Sequence, residues 1–209
     1  MSASPTTKQG RATRERIVRA AAELIAERGA TGTSLDEVRA ATAASKSQLY
    51  HYFGDKHGLV EAVVEHQCAS VLGFQARALA AVSDWQSLER WAQLMVNGVE
   101  QRRGRGGCPI GTLAAALADS DESLRVSLNE AFRAWSDAIR GALTRLRDNG
   151  LIAAEADLDR LTTITLSAIE GGLLLAKASR DVDPLRIALD GAIAQFRLNA
   201  PARRRHACA

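Results

Sequence analysis

The sequence predicts an all-α protein, with an N-terminal helix-turn-helix domain of three helices followed by a larger helical domain. Glycine and proline are few, with 16 and 4 among 209 residues, and no alternating run typical of a β-strand occurs. Apolar residues instead recur at helical spacing along most of the chain. A hydrophobic content of 46% is enough for one sizeable core or two modest ones.

The first helix is predicted over residues 11–28. Its apolar face includes Ile17, Ala21 and Ile25, and Gly29 is a good stop for its C-terminus. Residues 1–10 are polar and rich in Ser, Thr and Gly, so we expect a disordered tail there.

Two capping boxes then predict two short helices close together in the chain. Ser34 with Glu37 begins a helix that runs to about residue 41, and Ser45 with Gln48 begins a second that runs to about Phe53. Two short helices with a tight connection are typical of a helix-turn-helix.

The second of these helices has a polar outer surface. Leu49 and Phe53 are four residues apart, so they share the face that packs against the preceding helix. The other faces carry a cation, hydroxyls, an amide and two ring donors, which are the groups that reach phosphates and base edges in a major groove. A solvated polar helix in an ordinary bundle is the alternative interpretation.

The charge distribution also points to this end of the chain. Residues 1–56 hold nine Lys/Arg and six Asp/Glu, whereas residues 57–209 hold eighteen of each, so the whole net charge of +3 lies in the segment with the motif. Lys56 falls in the first turn of the next helix, behind a predicted Asp55 cap. A lysine there opposes the helix dipole, which makes sense if a phosphate lies in front of it.

Amphipathic patterns predict six further helices. They cover residues 55–80, 85–102, a short stretch from Pro109, 121–148, 156–179 and a last helix capped by Asp183. We therefore expect a DNA-binding domain over residues 11–56, a second domain over residues 57–199 and a flexible tail over residues 200–209.

Residues 11–58 resemble the DNA-binding domain of the tetracycline-repressor-like (TetR) family of transcription regulators. The resemblance is carried by Arg14-x-x-Ile17 through Gly29, Thr33-Ser34-Leu35-x-x-Val38 and Ser45-Lys46-x-x-Leu49-Tyr50-His51-Tyr52-Phe53-x-x-Lys56. The family usually has a glycine in the turn before the recognition helix, where this chain has Ala43, and alanine is less favourable in a left-handed turn. With the surface chemistry above, the resemblance implies that the DNA-binding residues are Arg14, Thr33, Ser34, Ser45, Lys46, Ser47, Gln48, Tyr50, His51 and Lys56.

The resemblance also implies a second domain that dimerises and binds a ligand. A lone helix-turn-helix reads too few base pairs for useful specificity, so a homodimer on a palindromic double-stranded DNA operator is expected. The last two helices are the best interface candidates, because both carry apolar stripes and Gly171 and Gly172 permit close approach; internal packing of the same stripes is the alternative. The predicted interface residues are Leu161, Ala168, Ile169, Gly172, Leu173, Leu189, Ile193 and Phe196.

Large apolar groups in the second domain suggest a cavity for a hydrophobic small-molecule effector. Each of them is individually as compatible with core packing. Cys108, at a predicted helix start, is either a redox-sensitive thiol or, more simply, a small buried residue. The predicted ligand-binding residues are Phe74, Trp91, Met95, Cys108, Phe132 and Trp135.

The predicted function is that of a DNA-binding transcription regulator, a repressor that an effector releases from its operator. The alternative is an architectural or division-regulating DNA-binding protein without an effector, and an activator is also compatible with the sequence. An enzyme is disfavoured because the four histidines show no catalytic or metal-binding spacing, so we expect no catalytic residues, metal or cofactor. Three widely spaced cysteines, and no apolar run of about 18 residues, favour a cytoplasmic protein without a membrane segment.

Overall fold

The computed structural model describes residues 7–30 and 32–201, and this part of the chain contains nine helices and no strands. Most of the predicted tails, at residues 1–6 and 202–209, lie outside the described residues, as do Cys208 and His206. The helices are α1 (Lys8–Arg28), α2 (Leu35–Thr42), α3 (Lys46–Phe53), α4 (Lys56–Ala80), α5 (Trp85–Gln101), α6 (Pro109–Leu117), α7 (Glu122–Asp148), α8 (Leu158–Ser179) and α9 (Asp183–Leu198). The predicted all-α fold is confirmed.

Helix boundaries follow local capping chemistry. α1 begins at Lys8 instead of residue 11, because the side chain of Thr7 caps it by accepting a hydrogen bond from the Gly10 amide, so residues 8–10 are helical and not part of a disordered tail. Asp183 is the first residue of α9 and not its cap, and Pro184 occupies the first turn.

The chain divides into two compact units. One combines the chain up to Val71 with Pro109–Ala131, and the other combines Leu72–Cys108 with the chain from Phe132 on. The division differs from the expected boundary after residue 56, because α4 and α7 each contribute residues to both units.

In the first unit, α2 packs against α1 and contacts α3. Ile17, Val38 and Leu49 are buried, each 2% exposed or less. The burial of these apolar faces holds the three short N-terminal helices in a helix-turn-helix arrangement.

In the second unit, α8 and α9 make the most extensive helix–helix contact, and α5 also packs against α9. Gly172 is where α8 and α9 approach most closely: a Cβ atom there would lie 2.9 Å from the Leu185 Cα atom and 3.1 Å from the Ala188 Cβ atom. The loop after α5 lies close to the C-terminal end of α8. A Cβ atom at Gly104 would lie 2.9 Å from the Cα atom of Arg180, the residue that caps α8.

One helix among the described residues, α8, is long and apolar enough to cross a membrane by length and composition. Asp159, Arg160, Glu170 and Lys177 interrupt its sequence, so it is not an unbroken apolar run. Buried core helices of soluble proteins meet the same two conditions, and the inner face of α8 packs against α9 within one unit.

Candidate nucleic-acid interface

Helix α3, the predicted recognition helix, is held in place at both ends. At its start, the Ser45 hydroxyl accepts a hydrogen bond from the Gln48 amide (3.1 Å) and the Gln48 side chain accepts one from the Ser45 amide (2.9 Å), which confirms the predicted capping box. At its end, the Gly54 amide donates to the Tyr50 carbonyl oxygen (3.0 Å). Leu49 and Phe53 are buried as predicted, so the orientation of the opposite face is determined.

That opposite face is polar and accessible. The side chain of Tyr50 is 49% exposed, which is unusual for a large aromatic group, and the Lys46 ammonium lies 5.9 Å from the centre of its ring. His51 contacts the buried Tyr52 edge to face, with 5.2 Å between the ring centres. The exposed residues on this face are Lys46, Ser47, Gln48, Tyr50 and His51.

Several residues predicted to contact DNA also have structural roles. Thr33 is only 4% exposed and donates its hydroxyl hydrogen to the Gly29 carbonyl oxygen. Ser34 caps α2, accepting from the Glu37 amide and donating to the Glu37 carboxylate. The capping box thus uses the hydrogen and one lone pair of the Ser34 hydroxyl. In the capping box of α3, the Ser45 hydroxyl and the Gln48 side-chain oxygen act as acceptors, which leaves the Ser45 hydroxyl hydrogen and the Gln48 NH₂ group as donors for DNA.

Two basic residues flank the helix. The Arg14 guanidinium stacks 5.4 Å from the centre of the Phe53 ring, which fixes a side chain of α1 beside the end of α3. Lys56 is the first residue of α4, and Asp55 caps that helix by accepting from the Gly58 amide (2.9 Å), as predicted. Arg14, Tyr50 and His51 line one groove of about 340 Å³.

Two further residues of the first unit, His57 and Gly58, are not predicted from the sequence to have a role. The imidazole of His57 lies 2.7 Å from the Asp121 carboxylate and 3.8 Å from that of Glu61. Gly58 lies directly against the Phe53 carbonyl oxygen, with which a Cβ atom would clash. The close approach at Gly58 is detectable only in three dimensions, and the His57–Asp121 pair joins residues 64 positions apart.

Comparisons with known proteins agree with this geometry. The model of the "Bacterial regulatory proteins, tetR family" domain matches residues 17–63, and that of the "Transcriptional regulator LmrA/YxaF-like, C-terminal domain" matches residues 85–190. The chain belongs to the TetR family of bacterial transcription regulators.

Individual TetR-family relatives match along most of the chain. An HTH-type transcriptional regulator of Mycobacterium tuberculosis is 30% identical over 182 residues, which cover 82% of this chain and 88% of the relative. The HTH-type transcriptional repressor NemR of Escherichia coli is 25% identical over 182 residues, covering 85% and 90%. A crystal structure of a TetR regulator from Chloroflexus aurantiacus is 26% identical, with a TM-score of 0.77 over 90% of this chain and 96% of that one.

TetR-family proteins are transcription regulators and not enzymes. They are soluble proteins that bind DNA operators and function as dimers. Among the residues that the structure describes, no group of three or more His, Cys, Asp or Glu side chains is placed to hold a metal ion.

The predicted ligand-binding residues of this TetR-family chain all lie in the second unit, with different surroundings. Trp91 and Met95 belong to a buried polar cluster, where the Trp91 indole donates to the Gln75 side-chain oxygen (3.0 Å) and the Gln75 NH₂ group lies 3.7 Å from the Met95 sulfur. Phe132 is half-buried and Phe74 is exposed.

Cys108 and Trp135 are buried in the same unit. Cys108 precedes α6, and its thiol donates a hydrogen bond to the Glu170 carboxyl group. This agrees with the simpler of the two interpretations of Cys108, that of a small buried residue. Trp135 is 1% exposed, and its indole NH has no partner among the described residues.

The predicted dimer residues are largely covered by their own chain. All but Ala168 are buried within the single chain, and Ala168 is half-buried. They form the core that α8 shares with the rest of its own unit, which is the alternative left open above. The buried residues are Leu161, Ile169, Gly172, Leu173, Leu189, Ile193 and Phe196.

Proposed function

We propose that this TetR-family regulator is a cytoplasmic repressor that binds a palindromic operator as a homodimer and is released by a hydrophobic small molecule. The exposed polar face of α3 is the observation that carries the proposal. A helix held by caps at both ends and by a buried apolar face presents its remaining side chains at a fixed angle, as major-groove readout requires.

The exposed side chains of α3 and the two basic residues beside it fall into two chemical groups. Ser47, Tyr50 and His51 are short or planar groups with donors and acceptors suited to base edges. Lys46, Arg14 and Lys56 are cations suited to backbone phosphates, and the N-terminus of α4 adds a positive dipole at Lys56. We therefore expect Ser47, Tyr50 and His51 to determine sequence preference, and the three cations to determine salt-dependent affinity.

For the dimer interface, we propose the outward face of α8 and α9 in place of the buried stripe. It exposes four large apolar side chains: Leu174 is 66% exposed, Leu175 58%, Ile187 70% and Leu198 77%. Large apolar side chains that are exposed on neighbouring helices favour an interaction surface there. Gly171 and Gly191 face open space on the same helices, so a partner helix can approach closely there.

Sedimentation of a Leu174→Asp variant tests this interface. We expect the wild type to sediment as a dimer and the variant as a monomer, because a buried aspartate would lose its hydration without a counter-charge. The variant should also lose the preference for two half-sites over one. Leu94→Asp is the matched control, since Leu94 is 50% exposed on α5. A dimeric Leu174→Asp protein, or a Leu94→Asp protein that is equally monomeric, contradicts the proposed face.

The second unit would receive the effector. Its buried aromatic side chains offer apolar contact area, and the related NemR protein is named a repressor. An effector releases DNA only through a higher affinity for the conformation that does not bind the operator. Release is measured directly by titrating candidate compounds into a complex of the dimer with its operator.

A further inference from the structure

The groove that Arg14, Tyr50 and His51 line also contains a cluster of ionisable side chains at the start of α4. These further residues are Asp55, His57, Glu61 and Glu65. All of them lie in the first unit. The groove therefore places His57 on the same concave surface as the side chains that we expect to contact DNA.

The imidazole of His57 faces a carboxylate with each of its nitrogen atoms. The Nε2 atom lies 2.7 Å from an Asp121 carboxylate oxygen, and the Nδ1 atom lies 3.8 Å from a Glu61 carboxylate oxygen. A neutral imidazole carries one N–H group, whereas the protonated ring carries two. Only the protonated ring therefore presents an N–H group to both carboxylates, and the neutral ring turns a lone pair towards one of them.

Asp121 is a fixed anchor for this ring. Its other carboxylate oxygen accepts a hydrogen bond from the Leu124 amide (3.0 Å), which caps α7. His57 belongs to the first turn of α4, and the next residue, Gly58, lies against the Phe53 carbonyl oxygen at the end of α3. The His57–Asp121 pair thus ties the end of α3, through the first turn of α4, to the start of α7.

The proton on His57 also changes the charge of the groove. The groove walls carry the carboxylates of Asp55, Glu61 and Glu65 and the guanidinium of Arg14. Protonation of His57 adds a second positive charge to this surface, and charges act over about 10 Å at about 0.1 M salt. Double-stranded DNA is a dense line of negative charge, so the added charge favours its approach.

We propose that His57 is a positioning residue of the DNA-binding face and that operator binding depends on its proton. The protonated ring holds the first turn of α4 between Asp121 and Glu61 and adds positive charge to the groove. Loss of the proton loosens this link and makes the groove more negative, so operator affinity falls. This inference rests on the proposed function, because it assumes a DNA operator.

The same neighbours determine the pH at which the proton is lost. The hydrogen bond with Asp121 raises the pKa of His57 above its ordinary value of 6.5, the carboxylates of Glu61 and Asp55 add to the rise, and desolvation opposes it. His57 is therefore mostly protonated at pH 6, and its charge is lost as the pH rises through the folded value. Operator affinity should fall over the same range.

Fluorescence anisotropy at pH 6 and pH 8 tests this inference. The probe is a labelled duplex of about 30 base pairs, recovered by selecting genomic fragments with the wild-type protein and long enough for two half-sites. We expect the wild type to bind it about threefold to tenfold more tightly at pH 6 than at pH 8. Circular dichroism at both pH values checks that each variant is folded.

Two substitutions of His57 separate the effect of the charge from that of the side-chain shape. His57→Arg carries a permanent charge and several donors, so at both pH values it should bind the duplex about as tightly as the wild type does at pH 6. His57→Gln carries no charge, so at both pH values it should bind about as weakly as the wild type does at pH 8. A residue that only fills space would not give opposite results for the two substitutions.

Asp121→Asn tests the anchor without altering a side chain that we expect to contact DNA. Asparagine still caps α7 but has no negative charge, so NMR titration of the free variant should show a lower pKa of His57 than in the wild type. His66→Gln is the matched control, at a half-buried histidine further along α4. It should leave the pH dependence of duplex binding unchanged.

Four results would overturn the role of His57. They are a wild type that binds the duplex equally at both pH values, His57→Gln with the wild-type pH dependence, His57→Arg that binds as weakly as His57→Gln at pH 6, and an unchanged pKa of His57 in Asp121→Asn. If the selection recovers no preferred duplex, the proposed function fails and the inference fails with it. A preferred duplex that is bound without pH dependence removes only the inference.

Discussion

Ala43 holds the turn between α2 and α3 in a conformation that alanine rarely adopts. Its backbone angles, φ 51° and ψ 24°, are left-handed, and it caps the C-terminus of α2. The turn thus keeps the geometry that a glycine would give, although the side chain costs about 1 kcal/mol there. The angle of the recognition helix is preserved by strain in one residue.

Replacing Ala43 by glycine should therefore stabilise the protein. We expect Ala43→Gly to raise the free energy of unfolding by about 0.5–1 kcal/mol, since relief of strain exceeds the entropy that glycine adds to the unfolded chain. Ala41→Gly, two residues earlier in the regular part of α2, should instead lower it by about 1 kcal/mol. Urea unfolding measures the free energy of unfolding of both variants. Equal changes of the same sign would contradict the backbone strain at Ala43.

His57 connects the start of α4 with the start of α7 within the first unit. The hydrogen bond from the imidazole to Asp121 raises the pKa of His57, and the carboxylates of Glu61 and Asp55 add to the rise. Asp121 in turn caps α7, accepting from the Leu124 amide (3.0 Å), and this hydrogen bond is the main cause of its lowered pKa.

The raised pKa predicts a pH dependence of stability. Because the folded pKa of His57 lies above its ordinary value of 6.5, its contribution is fully present below that pH and is lost as the pH rises through the folded value. The effect should be small, since the imidazole is 53% exposed. We expect His57→Gln to destabilise the protein at pH 6 more than at pH 8, with His66→Gln as the control. A destabilisation that grows with pH would contradict this account.

At the scale of elements, the junction between α3 and α4 depends on Gly58. The first turn of α4 lies so close to the end of α3 that a side chain at Gly58 would meet the Phe53 carbonyl oxygen. That oxygen is backbone and cannot move without shifting the recognition helix.

Gly58→Ala should therefore displace α4 from α3 and weaken DNA binding. We expect a loss of at least about 1 kcal/mol of unfolding free energy together with a lower operator affinity. Gly73→Ala is the matched control on the same helix, where a Cβ atom makes only ordinary contact with the Arg77 side chain. It should stabilise α4 slightly. If Gly58→Ala and Gly73→Ala change the melting temperature equally, the close approach of α4 to the Phe53 carbonyl oxygen does not exclude a side chain at position 58.

Within these helices, the sequence predicts only those features that depend on residues close together in the chain. Capping boxes such as Ser45 with Gln48, and buried positions such as Leu49 and Phe53, follow from spacings of three and four residues. Periodicity does not say which partner covers an apolar face, so spacing alone does not show that Ile169 and Gly172 are buried inside one chain. The His57–Asp121 pair was missed because no local pattern joins such distant residues.

At the scale of the whole molecule, two units divide the work of a TetR-family regulator. The chain's excess positive charge lies in residues 1–56, together with the exposed face of α3, whereas the second unit holds buried aromatic side chains and the exposed apolar face of α8 and α9. In the proposed function, the charge of residues 1–56 serves the DNA contact, and the apolar groups of the second unit serve the effector and the partner subunit.

The most direct test is selection of genomic DNA fragments by the purified protein, with Tyr50→Ala and Phe74→Ala compared with the wild type. Phe74 is the control, as another exposed aromatic residue, 39% exposed and far along the sequence from α3. We expect a palindromic site that the wild type and Phe74→Ala share, and a loss of about tenfold to a hundredfold in affinity for it with Tyr50→Ala. Binding that is salt-sensitive, indifferent to sequence and unchanged by Tyr50→Ala would contradict the account and favour an architectural DNA-binding protein.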